Sequence, residues 1–249
     1  MRNFETEFAQ ELQNVSAQAR RCAATVFSEL AFHHCARDVE LNLLVNRHPD
    51  FWLGVVAAQQ SAGIVAMGRL YDLRRQTRTV HTLLERAATY RGLFSRQSLR
   101  ARKCQLDGLD AALSEEYVRD AFEPQEGFLA PWITERQRLH ELYERTVEPL
   151  RHQVFAHNRG LPREEIDALF ASLPVVLYSE LAVFPMQVCE ALWQLHRNGR
   201  DPDMGSYQVR TDVAWLVDHP IPSGHVTWHE HHRAVGFTAA FLESLRQLP

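Results

Sequence analysis

Apolar residues recur at three- and four-residue spacing along most of this chain, and no stretch alternates for long enough to predict a strand. Phe8, Leu12, Val15, Ala19, Cys22 and Val26 keep that spacing and predict one long helix over residues 4–46. His48-Pro49-Asp50 starts the next helix, with Asp50 as its cap. Residues 51–72 are rich in small side chains, among them Gly54, Ala57, Ala58, Ala62 and Gly68. Such a segment predicts a central helix packed closely on several sides, held by tertiary contacts because glycine lowers its own propensity. Pro124 and the stretch 127–131 break the chain. A helix then begins at Thr134, with Leu139, Leu142, Val147, Leu150 and Val154 as its apolar stripe and Glu141, Arg145, Glu148 and His152 on another face. Further helices are expected over 163–170, 174–196, 207–217 and 233–248, with Asn198-Gly199 ending the third from last.

The pattern predicts an all-α chain in three parts: residues 1–46 as an N-terminal helical extension, 47–198 as a helical bundle, and 199–249 as a C-terminal helical extension. The most apolar stretch, 51–67, is interrupted by Gln59-Gln60-Ser61 and reads as a buried helix and not a membrane span. No apolar signal core follows Met1, and the four cysteines form no Cys-x-x-Cys pair, so a cytoplasmic protein with reduced thiols is expected.

Charge changes the picture in one region. Residues 69–103 carry ten basic side chains against two acidic ones, and 107–126 carry seven acidic against one basic. Two readings stay open: an RNA-tracking face beside an acidic one, or two segments that pair with each other. All but one of the 27 basic residues are arginine, which favours bidentate phosphate contacts but also follows from GC-rich coding. The net charge of −4 argues against a whole-surface nucleic-acid binder while permitting a local patch.

The chemistry concentrates where the long helix from Thr134 ends, at Leu150-Arg151-His152-Gln153-Val154-Phe155-Ala156-His157-Asn158. Pro149 removes one backbone hydrogen bond just before Arg151 and predicts a kink there. Six positions separate Arg151 from His157, so on an α-helix they lie about 120° apart around the axis and about 9 Å along it. One helix does not close both over a single atom, whereas a two-fold copy would bring two arginines and two histidines around one groove.

This arginine and histidine at a helix end resemble the signature of the HEPN superfamily, and the wording is most similar to its AbiU-like branch, associated with abortive phage infection. Gly68-Arg69-Leu70-Tyr71-Asp72, ending an upstream helix, resembles the same branch. The resemblance extends over residues 46–197. It implies an up-and-down HEPN-like bundle with additional N- and C-terminal helices, and a metal-independent endoribonuclease in a defence or toxin role that uses no cofactor. RNA would be the substrate, a homodimer the working form, and an antitoxin or other regulatory protein a partner. His157 would move the proton, Arg151 would hold the scissile phosphate, and His152, Asn158 and Arg159 would assist. HEPN toxins paired with a nucleotidyltransferase carry a tyrosine two positions after the histidine. Arg159 stands there in this chain, which speaks against control by tyrosine modification.

Alternatives remain for the same residues. Arg151 can pair with Glu144 or Glu148 on its own helix, and His157 can satisfy carbonyls at the helix end. The helical module would then bind RNA, a nucleotide or a protein without catalysis. A separate cluster, His225, His229 and His232, has the spacing of metal ligands on a helix, although a solvated histidine-rich turn is the favoured reading of it.

Overall fold

In a computed structural model that describes residues 2–73, 78–156, 161–221 and 229–247, the chain is all-α, with no strand among the described residues. Its spine is α1 (Arg2–Cys35). Phe8, Val15, Ala19, Cys22, Val26 and Phe27 form a fully buried stripe along α1. Asp38 then stops the first helical run and caps α2 (Val39–Val45), its Oδ1 accepting from the backbone N–H groups of Glu40 and Leu41 at 3.0 Å each. The expected single helix over 4–46 is therefore two, divided by a capping aspartate.

Three helices pack on α1: α3 (Pro49–Tyr71), α9 (Val175–Asn198) and α11 (Glu230–Ser244). Phe32 stacks on Trp52, and the Cys22 thiol lies 4.0 Å from the Gly63 carbonyl, so α3 runs antiparallel to α1. Tyr178 donates to Glu29 at 3.2 Å while His196 lies against Phe8, so α9 is antiparallel as well. Gly63 makes the α3 crossing possible, since a Cβ there would lie 2.7 Å from the Tyr178 hydroxyl. One apolar cluster takes side chains from all three expected segments: Phe8 and Val26, then Ile64, Leu139 and Leu192, then Leu216 and Val235.

Between α3 and the long helix α7 (Ala130–Pro149) lie α4 (Val80–Thr89), α5 (Arg96–Leu106) and α6 (Ala111–Val118), each started by a side-chain cap from Thr79, Ser95 or Asp110. Pro131 sits in the first turn of α7 and does not precede it, because the first N–H groups of a helix have no partner to lose. This explains why α7 starts four residues before Thr134. Beyond it, α8 (Arg163–Ala171) is short, and α9 ends on Gly199 in the left-handed conformation at φ 62°. The expected helix over 207–217 is reduced to a 3₁₀ turn, Met204–Tyr207, followed by α10 (Val213–Asp218).

α3 departs from its expected burial. Its C-terminal half is enclosed, with Ile64, Met67, Leu70 and Tyr71 in the core, but most of residues 51–58 are exposed or half-buried. Over residues 51–58 only Trp52, Val55 and Val56 are half-buried, and the others are exposed.

Two histidines are built into the core. His196 lies between Phe8 and Phe94, and burial holds its imidazole down to about 3, with Arg102 and Arg197 adding to the effect. Glu5 lies 3.8 Å away, but its carboxylate is already engaged by Arg102 at 2.8 Å. His231 packs edge-on to Phe27, lies 3.1 Å from the Arg210 carbonyl, and is lowered by burial to about 4. Both stay neutral in the folded protein but take a proton in the unfolded chain near pH 6.5. Stability is therefore complete above that pH and falls as pH drops, by about 1.4 kcal/mol per unit and per histidine. Glu29, raised by burial, works in the opposite sense. Thermal unfolding at pH 7 and pH 5 should give the lower midpoint at pH 5, and His196→Gln should shrink that difference; equal shrinkage on replacing an exposed histidine would contradict the assignment.

Candidate functional site

The end of α7 does not simply kink. Pro149 offers no N–H and its ring crowds the carbonyl of Arg145. One turn earlier, Thr146 Oγ1 donates back to the Leu142 carbonyl at 2.7 Å, a bond that bends helices. After Pro149 the chain continues as a π-helical segment, Leu150–Ala156. Such segments widen the helix by bonding i to i+5, and they concentrate at functional sites. Arg151 and His152 ride on this segment; His157, Asn158 and Arg159 lie outside the described residues.

Arg151 is held by a close approach of two backbones. Its side chain crosses α3 at Gly68, where a Cβ would stand 2.6 Å from the arginine Cδ and 2.8 Å from Nε. Only glycine leaves that path open. The guanidinium Nη1 then reaches the Tyr143 hydroxyl at 3.4 Å. Tyr143 is fixed in turn: its ring is nearly parallel to that of Tyr71, centroids 5.3 Å apart, and Tyr71 donates to the Leu181 carbonyl at 3.0 Å. Burial pushes the Tyr143 phenol up, while the bond with Arg151 works against that rise. The phenol stays protonated and neutral beside the cation.

These residues line a cleft of about 250 Å³ between the end of α3 and α7, together with Asp72, His140, Glu144, Glu148 and His152. Arg151 makes no ion pair with Glu144 or Glu148 among the described residues; each glutamate instead faces a histidine. Glu144 lies 3.2 Å from His140 Nε2 and Glu148 lies 3.5 Å from His152 Nε2. The first of these is an ion-pair distance without hydrogen-bond alignment, and both His140 nitrogens are buried without a hydrogen-bond partner. The cleft thus combines one fixed guanidinium with two imidazoles and three carboxylates. A phosphate would meet the arginine, but it would also feel Asp72, Glu144 and Glu148.

Two members of this group, Tyr143 and His140, were not singled out by the sequence. Their signal is helical spacing: residues 140, 143, 144, 148, 151 and 152 fall on one side of a continuous helix once the chain is read back from Arg151.

Among the described residues, five of the ten basic side chains of residues 69–103 are paired within the chain. Arg100 pairs with Glu115 at 2.8 Å, Lys103 and Arg197 share Asp107 at 2.9 and 3.0 Å, and Arg96 takes Glu123 through its backbone N–H at 2.8 Å. Arg102 holds Glu5, and Arg86 holds the buried Glu11 at 2.6 Å. The basic and acidic segments pair with each other, which is the second of the two readings left open by the sequence.

At the C-terminal cluster, His232 Nε2 lies 2.5 Å from the His219 carbonyl, and His225 is outside the described residues. Among the described residues no three His, Cys, Asp or Glu side chains gather where they could hold a metal ion. His232 serves the fold there, tying α11 to the chain after α10.

Comparison with known sequence families, curated proteins and solved structures finds no match to this chain.

Gly68 supplies the sharpest check on this geometry. Gly68→Ala should leave the fold intact, since alanine gains about 1 kcal/mol of helix propensity and the atoms it meets belong to a flexible side chain. The arginine should leave Tyr143. A crystal structure of the variant with Arg151 still on Tyr143 would show the approach to be less tight than described.

Proposed function

We propose that the chain is a metal-independent endoribonuclease of the HEPN kind, working at the Arg151 cleft. The observation that carries this reading is a partly exposed arginine, pre-positioned by Gly68 and Tyr143, at the edge of an open cleft and beside an imidazole. RNA brings its own nucleophile. In the proposed step His157 takes the 2′-hydroxyl proton, the 2′-oxygen bonds to phosphorus, and the P–O5′ bond breaks. The departing 5′-oxygen receives a proton from a second imidazole, in this proposal that of His152, which lines the cleft beside Glu148. The products are a 2′,3′-cyclic phosphate and a 5′-hydroxyl. Arg151, always charged, stabilises the phosphorane, so side chains provide both charge and proton transfer. The same resemblance supports an HEPN-like bundle, a homodimer, a cytoplasmic location, and a defence or toxin role under the control of a second protein.

A second reading has its own observation. Three carboxylates line the cleft and half of the basic run is paired internally, so the cleft also suits a non-catalytic module that takes a cationic group of a protein partner.

Incubation of the full chain with RNA separates the two. Wild-type protein should cut in the presence of EDTA and leave cyclic phosphate ends, and Arg151→Ala or His157→Ala should lower the rate by a factor of about 100 or more, the scale typical of losing a general base or an electrostatic stabiliser. Undiminished cleavage by His157→Ala would remove it from the mechanism, and no cleavage by the wild type would favour the binding module.

A further inference from the structure

A groove of about 890 Å³, against about 250 Å³ for the Arg151 cleft, lies between the first turns of α1 and the helix α4. Its two banks differ in charge. The α1 bank presents Thr6, Glu7 and Gln10, all exposed and on one face of the helix. The opposite bank presents Arg78, just ahead of α4, and Arg86 on it. Two of the groove's three carboxylates are already engaged. Glu11, buried in the floor, accepts from Arg86 Nη1 at 2.6 Å and from Thr82 Oγ1 at 3.3 Å, and Glu85 lies 3.1 Å from His81 Nε2. Left over are Glu7 on one bank and Arg78 on the other, neither ion-paired with a described residue. One end of the groove is aromatic: Tyr90 is backed by Phe4, ring centroids 3.7 Å apart, yet stays 46% exposed. A ring supported from behind and open in front is a stacking platform for a nucleobase.

Groove and cleft are neighbours. Arg136 of α7 donates to His81 Nδ1 of α4, and His140, which lines the cleft, is close enough to act on the charge of His81. Leu73 borders the cleft and Arg78 the groove, and five residues of chain keep their Cα atoms within about 18 Å of each other. Arg69 and Arg78, at the two ends of the connection from α3 to α4, are both exposed, and neither is ion-paired with a described residue. The uncommitted part of the basic run therefore stands between the two hollows.

We propose that this groove holds the part of a single RNA strand that runs on from the Arg151 cleft, with phosphates against Arg78 and Arg86 and bases against Tyr90 and the α1 bank. The proposal rests on the reading of the cleft as an RNA site. A nucleotide strand has an anionic edge and an edge that carries N–H groups. Arginine suits the first, and Arg86 spends only one of its five N–H donors on Glu11. Glu7 and Gln10 have carbonyl-type oxygens to accept from the second. Base recognition thus accounts for carboxylates in a site for a polyanion. The strand must be single, because a duplex keeps its bases stacked on one another and offers none to Tyr90. A peptide would also meet both charges, but its backbone carries no repeating flat ring for an exposed tyrosine.

Binding of 2′-O-methyl RNA, which lacks the nucleophile and is not cut, tests the proposal by fluorescence anisotropy on the full chain. Wild type should hold a strand of about twelve nucleotides about tenfold or more tighter than a dinucleotide. Tyr90→Ala, folded by circular dichroism, should lose about tenfold in Kd for the long strand, and Tyr90→Phe should recover it because the stack needs only the ring. Arg78→Ala should lower the slope of log K against log salt by about 0.7, the value for one phosphate contact on a single strand, whereas Tyr90→Ala should leave that slope unchanged. A long strand bound no tighter than the dinucleotide, or bound equally by Tyr90→Ala, would overturn the proposal and leave the groove to a protein partner. Cleavage is not read in this assay. A wild type that binds the strand through Tyr90 yet never cuts unmodified RNA would sink the nuclease reading and support the groove as a binding site.

Discussion

The fold depends on one buried stripe. α1 is about 50 Å long at the standard rise, and the side chains from Phe8 to Phe27 that face inward are wholly withdrawn from water. Each large apolar side chain enclosed in this way contributes about 1.5–3 kcal/mol of transfer free energy. No other helix touches so much of the molecule: α3, α9 and α11 all pack on α1 before they pack on one another. Some polar groups admitted to that core are partnered, as where Tyr178 closes on Glu29, while His196 Nε2 and His231 Nδ1 are buried without a hydrogen-bond partner among the described residues. The position of α3, and with it Gly68 and the floor of the cleft, follows from this packing.

A second constraint acts locally. Proline at 149 forces the α-helix to give up its bonding pattern just where the chain must carry Arg151 across a neighbouring helix. Glycine at 68 leaves the gap through which it passes. Neither feature alone would present the guanidinium at the cleft. The carboxylates around it set the chemical character of the site: any anion that binds must gain more from the fixed arginine than it loses to Asp72, Glu144 and Glu148. In the proposed reading RNA engages the cleft through a close and specific phosphate contact, since half of the basic run is spent on internal ion pairs.

Much of the fold was legible from helical periodicity, because long amphipathic helices advertise their inner face. The all-α class, α1, α3, α7, α8 and α9 follow from it, and Asn198-Gly199 marks a real helix end. Shorter helices were hidden in the charged middle of the chain, where Thr79, Ser95 and Asp110 as caps were the available signals but no apolar stripe was long enough to point at them. The break at Asp38 was missed for the same reason: one capping carboxylate interrupts an otherwise continuous pattern. In the site, Arg151, His152 and Glu148 could be read from the motif and its helix. The Tyr71–Tyr143 stack and the Gly68 approach could not, because they join segments more than 70 residues apart and depend on how α3 crosses α7.

The central claim is that RNA meets this protein at the Arg151 cleft. Photocrosslinking the full chain to RNA carrying 4-thiouridine, followed by peptide mass spectrometry, tests it most directly. The account predicts adducts on the peptides containing Tyr71 to Leu73 and His140 to His152, suppressed when Arg151 is replaced. Adducts confined to the outer face of α3 or to the C-terminal histidines, unaffected by that replacement, would contradict it.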